Sequence, residues 1–232
     1  MRRAPLLLIA LAAAGCGAHV TTARRHVAPP ARAHTVAVHL VRLAERVTGA
    51  LPAPLQDPSS AVAGARVVLL GGLTAADTSS DGILAATAGG ARQIGTLPSA
   101  RHDTAAVSLG RFVYLFGGGN LAQIDDILRI DPATGTASLV SRLPAPSSDS
   151  SAAAIGGTAY VVGGYTGTGW LDSIVAWRPG AAARVVAHLP TAVRYAAVAA
   201  DGSRIVIAGG SLPAGTASSA VYAFTPATGS VT

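Results

Sequence analysis

The stretch RHDTAAVSLGRFVYLFGGGNLAQIDDILRIDPATGTASLVSRLP, Arg101 to Pro144, decides the fold because it recurs. A Leu-Pro pair stands at Leu51-Pro52, Leu97-Pro98, Leu143-Pro144 and Leu189-Pro190, 46 residues apart each time. A Gly-Gly pair keeps the same step at Gly71-Gly72, Gly117-Gly118, Gly163-Gly164 and Gly209-Gly210, and single glycines do so at Gly64, Gly110, Gly156 and Gly202. Three separate marks in register over four copies define a repeat protein, even in a chain with 27 glycines.

Each copy reads as four short strands. Thr104 to Leu109 is a small apolar run, and Gly110 turns it into Arg111 to Phe116. Ile127 to Ile130 makes a third strand and Thr136 to Val140 a fourth, joined by Asp131-Pro132-Ala133-Thr134-Gly135. Short runs rich in β-branched and aromatic residues, punctuated by Gly and Pro, are strand and turn signals. Asp201-Gly202, between Val198 and Ile205, predicts a type I′ hairpin with positive φ at both central residues. The repeats sustain no 3.6-residue apolar period, so no helix is expected in them. Four strands in roughly 45 residues is the size of one propeller blade. One blade cannot bury both of its faces, so the copies must stack.

The repeats resemble the kelch-type β-propellers. The resemblance rests on strands that end in the diglycine: Val67 to Gly72, Val113 to Gly118, Tyr160 to Gly164 and Ile205 to Gly210. It rests also on Asp131-Pro132-Ala133-Thr134-Gly135 and Thr225-Pro226-Ala227-Thr228-Gly229, which resemble the family's Asp-Pro-x-Thr turn. The family's usual Trp after that turn is replaced by Ala137 and Val231. The expected fold is all-β, a kelch-like propeller with repeats at 51–96, 97–142, 143–188 and 189–232. Thr35 to Gly49 aligns with the third and fourth strands of a blade, with Val36, Val38 and Leu40 alternating, so 35–50 is expected as an outer half blade. The resemblance implies six or seven blades. Four and a half make an incomplete ring: a chain truncated at its C-terminus, a four-bladed ring, or two chains joined in one larger ring.

The leader is read separately. Arg2-Arg3, the apolar run Ala4 to Ala14 and Ala13-Ala14-Gly15 have the order of an export signal. The run is too short to span a bilayer as a helix. Cys16, the one cysteine of the chain, directly follows, and Ala-Ala-Gly-Cys resembles the lipobox of bacterial lipoproteins. Residues 1–16 are therefore expected as a signal peptide lipidated at Cys16, and 17–34, with Pro29-Pro30, as a flexible basic tether. The location implied is extracytoplasmic and lipid-anchored, with plain secretion as the alternative.

Charge separates along the chain. Residues 1–50 carry seven Arg against Glu45, and residues 51–232 carry ten Arg against ten Asp, so +6 and 0 add to the net +6. The repeats have no basic face, which excludes a nucleic-acid partner.

Chemistry is sparse. The diglycines read as structural, because no helix N-terminus or Lys follows to hold a phosphate. Arg101-His102-Asp103 suggests a relay, but neighbours on a strand point to opposite faces. Asp125-Asp126 reads as a loop boundary. No His, Cys or Asp spacing predicts a metal, and no cofactor or catalytic residue is expected. The loops after the diglycines and after Leu-Pro are expected to share one face, which offers Arg101, Asn120, Tyr165, Trp170 and Arg194 to a protein or glycan ligand. Trp170→Ala with Arg194→Ala is expected to weaken binding without unfolding. A non-catalytic binding module is the leading reading. A carbohydrate-active, mutarotase-like enzyme is the alternative, which convergent Glu, His or Asp on that face would favour.

Overall fold

The structure is a computed structural model that describes residues 44–232. The export segment with Cys16, the tether and residues 35–43 of the expected half blade lie outside the described residues. Ala44 to Ala50 carry no strand. Ala50 only accepts a main-chain hydrogen bond from Ala91.

Glu45–Thr232 is one compact unit, and its strands follow the 46-residue marks. The first copy contains β1 (Leu55–Gln56), β2 (Ser59–Ala63), β3 (Arg66–Leu70), β4 (Leu73–Thr74), β5 (Ser80–Thr87) and β6 (Gly90–Arg101). The second contains β7 (Ala105–Leu109), β8 (Phe112–Phe116), β9 (Asp126–Ile130) and β10 (Ala137–Arg142). The third contains β11 (Ser151–Ile155), β12 (Thr158–Val162), β13 (Ser173–Trp177) and β14 (Arg184–His188). The fourth contains β15 (Ala197–Asp201), β16 (Arg204–Ala208), β17 (Val221–Thr225) and β18 (Ser230–Val231). Four antiparallel sheets result, ordered β2-β3-β5-β6, β7-β8-β9-β10, β11-β12-β13-β14 and β15-β16-β17-β18, with β1 and β4 forming a small ribbon. The described residues form no helix and no closed barrel. The fold is all-β and propeller-like.

Stacking follows from strand alternation. Odd and even positions of each strand face opposite ways, and here both sets are apolar. Val68, Leu70 and Ile83 of the first sheet meet Val113, Leu115, Leu128 and Ile130 of the second. Tyr114, Phe116 and Ile127 of the second meet Val161, Val175 and Trp177 of the third. Tyr160, Val162 and Ile174 of the third meet Ile205, Ile207 and Phe224 of the fourth. Trp177 is the largest of these plugs, with its ring 4.9 Å from Tyr114 and 5.8 Å from Phe116. Each such side chain contributes about 2 kcal/mol by leaving water.

The Leu-Pro marks find their reason in this packing. Leu97, Leu143 and Leu189 are buried, whereas Leu51, at the start of the stack, is exposed. The diglycines hold the ends of the second strands. The amide of the first glycine bonds the entry of the third strand (Gly71 to Gly82 O, Gly117 to Asp126 O, Gly163 to Ser173 O, Gly209 to Ala220 O). In three copies the amide of the second bonds the end of the fourth strand or the loop beyond it (Gly72 to Arg101 O, Gly118 to Ser147 O, Gly164 to Val193 O). These seven amides are taken by carbonyls, which leaves them no role in holding a phosphate.

One hairpin differs from its expectation. Asp201 pairs with Arg204, so the turn residues are Gly202 and Ser203, and only Gly202 has positive φ (+58°). That is the φ pattern of a type II′ turn, which needs glycine only at its first position. Two successive positive φ values occur instead at Gly156-Gly157.

Candidate functional site

The loop between the last strand of one sheet and the first strand of the next carries the chemistry. In three of these loops, and before the first sheet, a non-glycine residue sits in the left-handed region: Asp57 (φ +51°), Asp103 (+52°), Asp149 (+60°) and Tyr195 (+56°). Their positions are 46 residues apart. This conformation is uncommon for any residue with a Cβ, and Asp tolerates it better than most. It turns the chain so that the loops bond to one another. Asp149 N–H donates to Asp103 O at 2.8 Å, and Tyr195 N–H donates to Asp149 O at 2.9 Å. These bonds stitch the second repeat to the third and the third to the fourth.

The result is an open depression of about 510 Å³ lined by Asp57, Ser59, His102, Asp103, Thr104, Asp149, Ser150 and Tyr195, with Leu73 and Pro58. His102 lies between Ser79 Oγ, 2.9 Å from its Nδ1, and Asp103 Oδ2, 3.7 Å from its Nε2. The strand rule that would splay His102 from Asp103 does not operate here, because the positive φ of Asp103 breaks the alternation. The longer separation is an ion-pair distance and not a hydrogen bond. Burial, then a hydrogen bond with Asp149 and its charge, raise the Asp103 carboxyl to about 6, against the opposing pull of His102. Burial and the Asp149 carboxylate likewise push the Tyr195 phenol up to about 12, so it remains a hydrogen-bond donor at neutral pH. Its hydroxyl reaches Asp103 Oδ2 at 3.4 Å.

Beside the depression stands a clamp. Tyr165 directly follows the third diglycine, and Arg194 follows Leu189-Pro190 by four residues. The bond from Gly164 N–H to Val193 O joins the two loops and lays Arg194 against the aromatic rings. Its guanidinium carbon is 4.6 Å from the Tyr165 ring centre, 5.1 Å from Trp170 and 5.3 Å from Tyr195. Its Nη2 is 2.5 Å from Asp149 Oδ2, a charge contact without hydrogen-bond alignment. Burial pulls the Arg194 pKa down, but the Asp149 carboxylate and the Tyr195 hydroxyl together outweigh it and push it up, so the side chain stays cationic.

The five residues expected on one face thus separate. Tyr165, Trp170 and Arg194 meet in the clamp. Asn120 is exposed and donates to Ala100 O. Arg101 does not belong to a binding face at all. It is fully buried, donating to Gly117 O and Ser99 and pairing with Asp126 at 3.2 Å. Asp125 and Asp126 both pair with Arg142, so that acidic couple is a structural ion network. No group of three or more His, Cys, Asp or Glu with metal-holding geometry is present among the described residues. Sequence reading named Asp103 only to set it aside on the strand rule, and it passed over Asp57 and Asp149. The Asp57, Asp103, Asp149 series at the repeat step was the available signal.

No protein-family model matches the chain, and no curated protein matches it. Among solved structures it is similar to that of YjhT, with a TM-score of 0.67 at 17% identity, covering 78% of this chain. The chain spans 66% of the YjhT chain, just under two thirds of its length. At this identity the likeness is one of fold.

Proposed function

We propose that this chain is a kelch-like β-propeller whose blades are the four described sheets, exported on a lipoprotein signal and anchored at Cys16. In this reading it is an extracytoplasmic recognition domain that takes its ligand in the depression between Asp57, Asp103, Asp149 and Tyr195. The observation that carries the reading is the convergence of one left-handed residue from each repeat onto a single open, polar hollow. The neighbouring clamp braces two residues that line the hollow, Asp149 and Tyr195, because both contact the Arg194 guanidinium. A preorganised wall lowers the ordering cost of binding.

The test is a thermal-shift and calorimetric screen of the whole chain against neutral and charged sugars, peptides and amines. A ligand whose affinity falls at least tenfold in Asp103→Asn or Tyr195→Phe supports the site. A ligand indifferent to both substitutions removes the depression from the proposal. Anchoring is tested by labelled palmitate, whose incorporation should vanish in Cys16→Ser.

A second reading, a carbohydrate-active enzyme, is favoured by one observation. The Asp103 carboxyl, raised to about 6 next to Asp149, has the acidity of a general acid near neutral pH. Turnover of a sugar hit with a pH profile lost in Asp103→Asn would select this reading over simple recognition.

A further inference from the structure

A buried arginine of one repeat has a cavity as its counterpart in the next. Arg101, the last residue of β6, is fully buried. Its guanidinium donates to Ser99 O and Ser99 Oγ, to Gly117 O at 3.3 Å and to Asp126 Oδ2 at 3.2 Å. One repeat step of 46 residues carries Ser99, Arg101, Gly117 and Asp126 onto Ala145, Ser147, Gly163 and Asp172. All four of those residues line a cavity of about 220 Å³, where the loop after β10 meets β12, β13 and β14. Liquid water takes about 30 Å³ per molecule, so the cavity has room for a small organic molecule. It shares no lining residue with the depression around Asp103.

The main chain is the same at both places. Gly72 N–H bonds Arg101 O and Gly118 N–H bonds Ser147 O, so the two side chains start from equivalent backbone. What changes is the charge. Asp126 lies between two arginines, with Arg101 at its Oδ2 and Arg142 at its Oδ1. Asp172 keeps a partner only in the outer place, where His188 takes the position of Arg142 and sets its Nδ1 2.8 Å from Oδ1. The other oxygen, Oδ2, has no side-chain partner among the described residues. Gly163 O accepts from Ser150 Oγ at 3.0 Å and keeps a second lone pair. The first and fourth repeats carry neither charge, with Leu55 and Ser80 in one and Val193 and Ser218 in the other. The third alone keeps the acid without its buried arginine.

We propose that this cavity binds a small guanidinium or amidinium cation that carries a short apolar group. The planar fork donates to Asp172 and Gly163 O, as Arg101 donates to Asp126 and Gly117 O. The apolar group lies against Leu143, Val161, Leu171 and Val175. Asp172 is half-exposed, which leaves the cation a way in.

Calorimetry and thermal shift of the whole chain with ethylguanidinium chloride at millimolar concentration test this, with ethylammonium chloride as the control. Ethylguanidinium should bind saturably, one per chain, and raise the Tm. Asp172→Asn should weaken that binding at least tenfold. Ethylammonium should bind at least tenfold more weakly than ethylguanidinium, because a compact ammonium lacks the planar fork that spans both acceptors. Ser147→Arg should place the chain's own guanidinium in the cavity, raising the Tm of the free chain and abolishing ethylguanidinium binding. Absence of saturable binding to the wild type overturns the proposal. So does equal affinity for ethylammonium, affinity unchanged in Asp172→Asn, or a Ser147→Arg chain that still binds.

Discussion

The titration of Asp103 has a definite consequence for stability. Its carboxyl ordinarily ionises near 3.8 and is held up to about 6 in the folded chain, first by burial and then by Asp149. Well below 3.8 it is protonated in both states and costs nothing. As pH rises toward 6, the unfolded chain ionises freely while the folded chain resists, so stability is lost across that window. Asp103→Asn should abolish this loss and stabilise the chain by about 1 kcal/mol at pH 7, the open depression screening the rest. Urea titrations at pH 4, 5, 6 and 7 read the difference. Arg194 gives a second prediction at this scale. Its partner Asp149 is almost wholly buried, with 1% of its side chain exposed. Arg194→Ala strands that charge and should cost about 3 kcal/mol in a denaturant titration. Trp170→Ala, by contrast, removes one wall of the clamp and leaves the ion pair. The expected stability cost of the double substitution therefore lies with Arg194 and not with Trp170.

Among the elements, the turns and strand ends show which glycines are needed. Gly110 has φ +60°, and a Cβ there meets nothing within 4 Å. Gly117 has φ +61°, and a Cβ there would land on the Ser147 carbonyl oxygen, a main-chain atom fixed by its bond to Gly118 N–H. Gly110→Ala should cost about 1 kcal/mol, the left-handed penalty alone. Gly117→Ala should cost more than about 3 kcal/mol, because the loop beyond β10 must move as well. Equal losses in a denaturant titration would refute the close approach. The 46-residue spacing made both glycines visible as marks. Only the packing of β8 against the loop after β10 separates the cheap one from the costly one.

For the whole molecule, a stack of sheets touching only their neighbours should show graded protection. Amide exchange in dilute solution should be slowest in β8 and β12, whose sheets are covered on both faces, and faster in β3 and β16. Hydrogen-exchange mass spectrometry resolves this gradient, and equal protection of all four strands would refute it. Four sheets of four antiparallel strands were legible in the sequence because repetition does not depend on knowing any contact. Strand alternation and the turn residues act locally, and the repeat step shows each of them four times over. The burial of Arg101 was not legible. Nothing local distinguishes an arginine that pairs inward with Asp126 from one that faces solvent. The left-handed Asp57, Asp103, Asp149 and Tyr195 line one hollow only because the loops of neighbouring repeats meet there, with main-chain bonds joining Asp149 to Asp103 and Tyr195 to Asp149. The sequence by itself determined the period, the strands and the need to stack, through local backbone preference and apolar alternation. The tertiary structure alone decided which polar side chains meet and what charge they carry, because distance and burial are set between repeats.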